Sequence, residues 1–418
     1  MQPSPLADLT RAAQRQQPGA INALAQALVR AGQPEEAFVW YSRSAAAGDA
    51  LSQIEVGHMR AYGVGCEVDV DQARAQWELA ERQGAAAARY LLATLAVGEQ
   101  PLALDGSAFD RLQAAAAAGY PPALRALAIQ HGRVAHPDRQ RQCVALLERA
   151  AAAGDAVSAG LLAERLLRGE GVPPQPDAAA QLRRQLQALG MTALPDVFIA
   201  PPDPAHDTAD HRIDFAPRTG PVQRHAAPLI EEYAGVLSAD ECRLLMLLAR
   251  PHLRDSQVID PNDASTQRAP VRTSRGATLD PIIEDFAARV AQARLAACAQ
   301  LTLTHAEPLS VLCYAPGEQY RAHRDYLPPG TIAADHPNAG NRQRTVCVYL
   351  NVVDAGGETE FPLAGVRVQP RPGALVCFDN LHADGRPNAD SLHAGLPVTA
   401  GSKWLGTLWF RQQRYRDW

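Results

Sequence analysis

Four residues in the C-terminal half of the chain carry side chains that could do chemistry together: His323, Asp325, His393 and Lys403. His323 and Asp325 are two positions apart, so on a β-strand both side chains leave from one face. A second imidazole, His393 in Ser391-Leu-His-Ala-Gly-Leu-Pro-Val, completes a 2-His-1-carboxylate set. Such a set holds iron(II) from one side and leaves the other coordination positions open. Lys403, in Gly401-Ser-Lys-Trp, is a compact charge suited to the far carboxylate of a dicarboxylate bound at that metal.

A lone His-x-Asp pair arises readily by chance among 12 histidines, and a solvated pair is its ordinary meaning. The order of the surrounding motifs gives it weight. Tyr314-Ala-Pro-Gly-Glu-Gln-Tyr320 precedes the pair, and Arg342-Gln-Arg-Thr345 with Val346-Cys-Val-Tyr-Leu-Asn351 follows. Then come Gly356-Gly-Glu-Thr359-Glu-Phe-Pro362, Pro372-Gly-Ala-Leu-Val-Cys-Phe378, His393, Lys403 and Trp409. With Gly235-Val-Leu-Ser-Ala-Asp-Glu-Cys242 and Val271-Arg-Thr-Ser274 upstream, the ensemble resembles the catalytic domain of prolyl 4-hydroxylases. These are iron(II)/2-oxoglutarate-dependent dioxygenases, and the resemblance covers roughly residues 228–412.

The resemblance implies a distorted double-stranded β-helix, or jelly roll, with iron(II) on His323, Asp325 and His393. It further implies that Lys403 pairs with the distal carboxylate of 2-oxoglutarate while Tyr314 and Thr359 donate hydroxyls to it. Trp409 matches a position beside the active site, and Tyr320 and Arg342 match positions that contact the peptide. Dioxygen would be the other reactant, ascorbate an optional accessory, and succinate and carbon dioxide the co-products of hydroxylating a prolyl residue. The metal motif itself is silent about substrate, so another residue, a small molecule, or a catalytically silent adaptor stay open. Each residue also has a plainer reading: Lys403 as a strand-end charge, Tyr314 and Trp409 as packing, Thr359 as a strand former. His382 is a rival distal ligand, but its neighbours Asp379, Asn380, Asp384 and Gly385 are turn formers, and only His393 precedes Pro-Val-x-x-Gly-x-Lys. His58, His131 and His305 are expected to be structural.

Short β runs must position these side chains: 309–314, 345–350, 358–361, 366–369, 374–378 and 404–410. Antiparallel strands of this length suit a jelly roll, whose interior can hold a metal and a small ligand. Ser238-Ala-Asp-Glu241 reads as a capping box opening a supporting helix, and a second helix is expected from Pro281. The stretch from Pro328 to Asn341 is expected to be loop throughout and to gate the site, with the stretch from Asp255 to Arg272 as its opposing wall.

Upstream, the chain repeats itself. Helix ends at Ala46-Ala-Gly48, Arg82-Gln-Gly84, Ala117-Ala-Gly119 and Ala152-Ala-Gly154 recur at intervals of 36, 35 and 35 residues. Each amphipathic stretch stops at a glycine suited to the left-handed C′ position, which predicts an α-solenoid of stacked helix pairs with a concave face. Gly57-His-Met-Arg-Ala-Tyr-Gly-Val-Gly resembles Sel-like repeats, relatives of tetratricopeptide repeats that mediate protein contacts. The third repeat departs from the pattern at Pro101. The expected layout is a repeat domain at 1–190, a Pro-rich linker at 191–227, and an oxygenase domain at 228–418. The linker histidines 206, 211 and 225 lack ligand spacing on a fixed element.

Composition narrows the rest. A net charge of −5 with acids and bases interspersed offers no basic stripe for nucleic acid. No run approaches a membrane span, and the N-terminus lacks a leader pattern, so a cytoplasmic protein with no membrane partner is expected, and the high Ala, Arg and Pro usage fits a bacterial source. The seven scattered cysteines read as small core residues rather than disulfides or a zinc site. A protein or peptide substrate docked on the repeats is the expected partner.

Overall fold

The structure is a computed structural model that describes residues 5–15, 19–98, 106–199, 213, 215–256, 258–259, 266–267, 272–280, 285–334 and 336–416. Outside them lie Pro101, the linker residues Pro201, Pro202, Pro204, His206 and His211, and most of the expected wall between Asp255 and Arg272.

The N-terminal region is helical. Its helices are α1 (Pro5–Gln14), α2 (Ala20–Arg30), α3 (Pro34–Ala46), α4 (Ala50–Tyr62), α5 (Val70–Arg82) and α6 (Ala86–Gly98). The run continues with α7 (Ser107–Ala117), α8 (Pro121–Gly132), α9 (Pro137–Ala152), α10 (Ala156–Arg168) and α11 (Pro176–Ala188). The helix-end glycines 48, 84, 119 and 154 follow α3, α5, α7 and α9 at φ 94°, 85°, 82° and 90°, the conformation that only glycine adopts cheaply. Gly57 serves a different purpose. A Cβ there would lie 2.3 Å from Nε1 of Trp77, so its absence lets α4 receive the buried indole, which donates to the Ile54 carbonyl at 3.1 Å.

The chain divides into two compact units, the first holding the described residues up to Ala96 and then up to Ala123, the second holding Val97 and Gly98 and the described residues from Leu124 onward. In the second unit α10 packs directly against a helix of the oxygenase fold, α12 (Ala239–Ala249), and Arg125 of α8 reaches the cap of α13 (Phe286–Cys298). Gly160 on α10 permits close approach to α12, since a Cβ there would stand 3.0 Å from Leu247. Around this seam lies a buried layer of ion pairs. Glu241 completes the capping box of α12 with Ser238 and also receives Arg133 and, at 2.7 Å, Arg294. Asp240 takes Arg165 and Arg243, Arg243 bonds Glu170 at 2.6 Å, and Arg125 joins Asp155 and Asp285. Burial alone would raise the Glu241 carboxyl, but Arg133 and Arg294 outweigh it and hold it at about 2.

The strands are β1 (Val222–Ala226), β2 (Leu229–Tyr233), β3 (Arg254–Asp255), β4 (Val258–Ile259), β5 (Thr266–Gln267), β6 (Arg275–Leu279), β7 (Leu309–Tyr314) and β8 (Tyr320–His323). Beyond the short helix α14 (Pro329–Ala334) come β9 (Arg342–Tyr349), β10 (Ala355–Gly356), β11 (Thr359–Phe361) and β12 (Val366–Val368). The last are β13 (Leu375–Asp379), β14 (His393–Gly395), β15 (Val398–Ala400) and β16 (Lys403–Arg411). An eight-stranded sheet runs β1-β2-β13-β9-β16-β7-β6-β3 and a four-stranded sheet runs β12-β11-β14-β8, with every pairing antiparallel. Phe361 and Val368 of the smaller sheet meet Tyr314, Tyr349, Val376, Phe378 and Leu405 of the larger in one apolar core. This is the jelly roll, an α-solenoid preceding it in the chain.

Four details differ from the sequence reading. Strand β1 falls inside the span read as linker, because Pro221 and the turn at Ala227-Pro228 flank a run that can hairpin onto β2. Val197 of the same span is fully buried, and the Val352 N–H donates to the Asp196 carbonyl at 2.8 Å. The stretch read as loop after β8 contains α14, started by Pro329 and stapled at its base by Asn341, whose side chain accepts from the Leu327 N–H and donates to its carbonyl. Helix α13 begins at Phe286 under an Asp285 cap, and residues 281–284 lie outside the described set.

Candidate active site

The facing of β8 and β14 makes the site. Their register sets His393 opposite His323, two residues separated by about seventy in sequence, with ring centroids 4.2 Å apart. Asp325 is not on the strand; it follows two residues after the end of β8, in extended chain, and its carboxylate is buried between the imidazoles. Its Oδ1 lies 3.5 Å from Nε2 of His323 and its Oδ2 3.6 Å from Nε2 of His393. Ligand atoms of all three fall within 4.8 Å of one another, the one such group among the described residues.

Both imidazoles are oriented by backbone. Nδ1 of His323 meets the Arg321 carbonyl at 2.8 Å and Nδ1 of His393 the Ser391 carbonyl at 3.0 Å. A carbonyl only accepts, so each Nδ1 carries a proton, and Nε2 is the ring atom that each histidine turns toward the carboxylate. Burial, reinforced by His323, pushes His393 down to about 4, so it is neutral near pH 7 and no proton competes with a metal. Asp325 is held well below the usual carboxylate range; burial opposes this, but His393, His323 and Arg342 outweigh it.

The co-substrate end is built by alternation. Lys403 and Tyr314 are paired across β16 and β7, and both are buried. The Lys403 ammonium lies 5.6 Å from the ring centres of Tyr314 and Tyr349 and forms no ion pair among the described residues. Burial lowers it to about 8. Thr359 opens β11, and its hydroxyl accepts from Tyr349 at 2.8 Å, leaving its own proton to donate inward. The Tyr314 hydroxyl neighbours Ser274 and Arg272. A buried ammonium awaiting an anion, beside two hydroxyl donors and a metal-ligand set, fits a metal-bound dicarboxylate.

The remaining residues named from sequence surround this pocket. Tyr320 stacks on the His323 ring at 3.4 Å, and Arg272 covers the Tyr320 ring at 5.0 Å. Trp409 lines the pocket, and its indole N–H is buried without a partner among the described residues, as is Nε of Arg272. Arg342 sits behind the pocket, bonded to Glu307 at 2.7 Å and 4.0 Å from the Trp409 ring. The rival ligand His382 is exposed on a turn away from the set. Sequence reasoning missed Tyr349, Thr345 and Cys347 as site residues, because β9 is buried on both faces over this stretch and alternation there gives no contrast.

A jelly roll that gathers this triad beside a buried cation is a metal-dependent oxygenase that takes a dicarboxylate. Comparisons refine the class. A family model described as the 2OG-Fe(II) oxygenase superfamily matches residues 309–411. Probable prolyl 4-hydroxylase 3 of Arabidopsis thaliana is 33% identical over 207 residues, 44% of this chain and 69% of that protein. Prolyl 4-hydroxylase 1 of the same plant is 34% identical over 194 residues, 42% of this chain and 66% of that protein. Among solved structures, a viral collagen prolyl hydroxylase from Paramecium Bursaria Chlorella virus-1 overlays with 24% identity, 44% and 95% coverage and a TM-score of 0.33. A Sel1 repeat protein from Oxalobacter formigenes overlays with 25% identity, 45% and 56% coverage and a TM-score of 0.39. The chain belongs to the prolyl 4-hydroxylase family of 2-oxoglutarate and iron(II) oxygenases. The family uses iron(II), 2-oxoglutarate and dioxygen.

Proposed function

We propose that this enzyme hydroxylates prolyl residues of a peptide or protein, converting 2-oxoglutarate and dioxygen to succinate and carbon dioxide as one oxygen atom enters the substrate. The observation that carries it is the convergence of His323, Asp325 and His393 beside the buried Lys403. His323, Asp325 and His393 would hold the iron, which supplies the oxidising chemistry when bound. Lys403 anchors the distal carboxylate of the keto acid, and Tyr314 and Thr359 donate hydrogen bonds to it. The two imidazoles are fixed by the Arg321 and Ser391 carbonyls, and burial keeps His393 neutral near pH 7. Tyr320, with Arg272 over its ring, and the indole N–H of Trp409 line the pocket where the reacting residue would enter. Arg342, already engaged by Glu307, supports Trp409 from behind.

In this reading the repeats recruit the target protein, ascorbate serves as accessory reductant, and the enzyme works in the cytoplasm. The supporting fact for recruitment is the run of helical repeats. The test is succinate formation from 2-oxoglutarate by the full chain with proline-containing peptides, followed by mass spectrometry. His323-dependent turnover with a gain of about 16 mass units on proline is expected from insertion of one oxygen. Oxygen found only on other residues would overturn the prolyl assignment, and absence of His323-dependent turnover would overturn the enzyme reading of this chain.

A further inference from the structure

The two oxygens of Asp325 are nearly equivalent to the histidines, 3.5 Å from one Nε2 and 3.6 Å from the other. The imidazoles therefore do not decide whether the carboxylate would meet a metal through one oxygen or both. A buried hydroxyl breaks the tie. Thr345, fully buried on β9, donates to Oδ2 of Asp325 at 2.8 Å. A hydroxyl has one proton, and its direction is set by a second residue: the Asn380 side-chain amide donates to Oγ1 of Thr345, also at 2.8 Å. Asn380 is held by its own backbone, its N–H donating to the Gln343 carbonyl at 2.8 Å and its carbonyl accepting from the Asn388 N–H at 2.9 Å. The amide thus occupies the lone pair side of Thr345, and the proton has one place to go.

We infer that Thr345 and Asn380 are positioning residues that keep Oδ2 of Asp325 off the metal, so that this carboxylate binds through Oδ1 alone. The inference rests on the oxygenase reading of the site. Its consequence is a count of open positions. The triad leaves about three when each ligand offers one atom. A keto acid chelate uses two, and a chelating carboxylate would remove the last, leaving none for dioxygen. Outer partners of this kind orient metal ligands and tune the site.

Manganese(II) alone serves as the probe, with water-proton relaxation counting exchangeable waters on the metal before and after 2-oxoglutarate is added. The wild-type protein is expected to keep about three waters and then about one. Thr345→Val, which keeps the shape and removes the hydroxyl, should lose one water in each state, and Thr345→Ser should restore the wild-type count. Asn380→Asp presents an acceptor to Thr345, which reverses the hydroxyl, so this variant should match Thr345→Val although Thr345 is intact. Wild-type counts in Thr345→Val or in Asn380→Asp would overturn the inference. Failure of the wild-type protein to take up manganese would instead overturn the reading of His323, Asp325 and His393 as ligands.

Discussion

Two regions of the second compact unit bury charge, and they do it in opposite ways. At the seam of the late repeat helices with α12 and α13, the carboxylates of Asp240, Glu241 and Asp285 each meet a buried arginine or two, and the cations are matched by acids. In the jelly roll, Lys403 is as deeply buried but has no carboxylate partner among the described residues. The larger cavity, about 540 Å³, adjoins the seam, while that at the metal residues is about 30 Å³. Size and chemistry point to different places, and chemistry decides: the acids beside the large cavity, Asp240 and Glu170, are already met by Arg165 and Arg243. A closed set of charges holds helices in register; an open set is a seat for a ligand.

Breaking each set should therefore have opposite effects. The largest change is expected from His393→Ala, which should lower metal affinity by at least about 100-fold, in excess of typical outer-partner losses, and abolish metal-dependent succinate formation. Unimpaired metal binding in a calorimetric titration would remove His393 from the ligand set. Next, Glu241→Ala leaves Arg133 and Arg294 buried without their shared acid and should destabilise the protein by about 3–5 kcal/mol in urea unfolding. Lys403→Met should do the reverse in the empty protein, stabilising it by about 1–3 kcal/mol through loss of a desolvated charge. The same variant should weaken 2-oxoglutarate binding by about 100-fold, the few kcal/mol of a lost buried ion pair. A Lys403→Met protein that is less stable, or that binds the keto acid normally, would erase the contrast.

A smaller effect follows from pH. Burial lowers Lys403 to about 8 in the empty protein, and an anion in the pocket raises it again, because the bound carboxylate favours the ammonium. Affinity for 2-oxoglutarate in the manganese-loaded enzyme should be constant below about pH 8 and fall as pH rises through it. Lys403→Arg should flatten that fall, since guanidinium does not lose its proton in this range. The smallest effect belongs to the exposed pair Arg367–Glu360 at 2.5 Å, where removing either partner should leave the unfolding midpoint unchanged.

Much of the site was legible because a motif order maps onto strands with a period of two. Tyr314, Thr359, Lys403 and the three ligands were each named from their neighbours in sequence, and all line one pocket. Asp325 was placed on the ligand strand but sits past its end, since alternation tells which face a residue takes and not where hydrogen bonding stops. Thr345 and Tyr349 were inside a quoted motif yet unassigned, because a strand buried on both faces gives no contrast between pocket and packing. Arg342 was read as a peptide contact by family position, while the folded chain engages its guanidinium with Glu307, thirty-five residues away.

The amino-acid order determined the solenoid and the jelly roll and singled out the three residues proposed to hold the metal, since glycine spacing, strand alternation and motif order are local properties of the chain. Tertiary structure decided what depends on partners distant in sequence. It set His393 against His323 through strand register, matched Arg165 to Asp240 across seventy-five residues, and left Lys403 without an acidic mate among the described residues. Burial turns those pairings into function, because a charge removed from water must be met by an opposite charge, and only the fold determines which charge finds one within the protein.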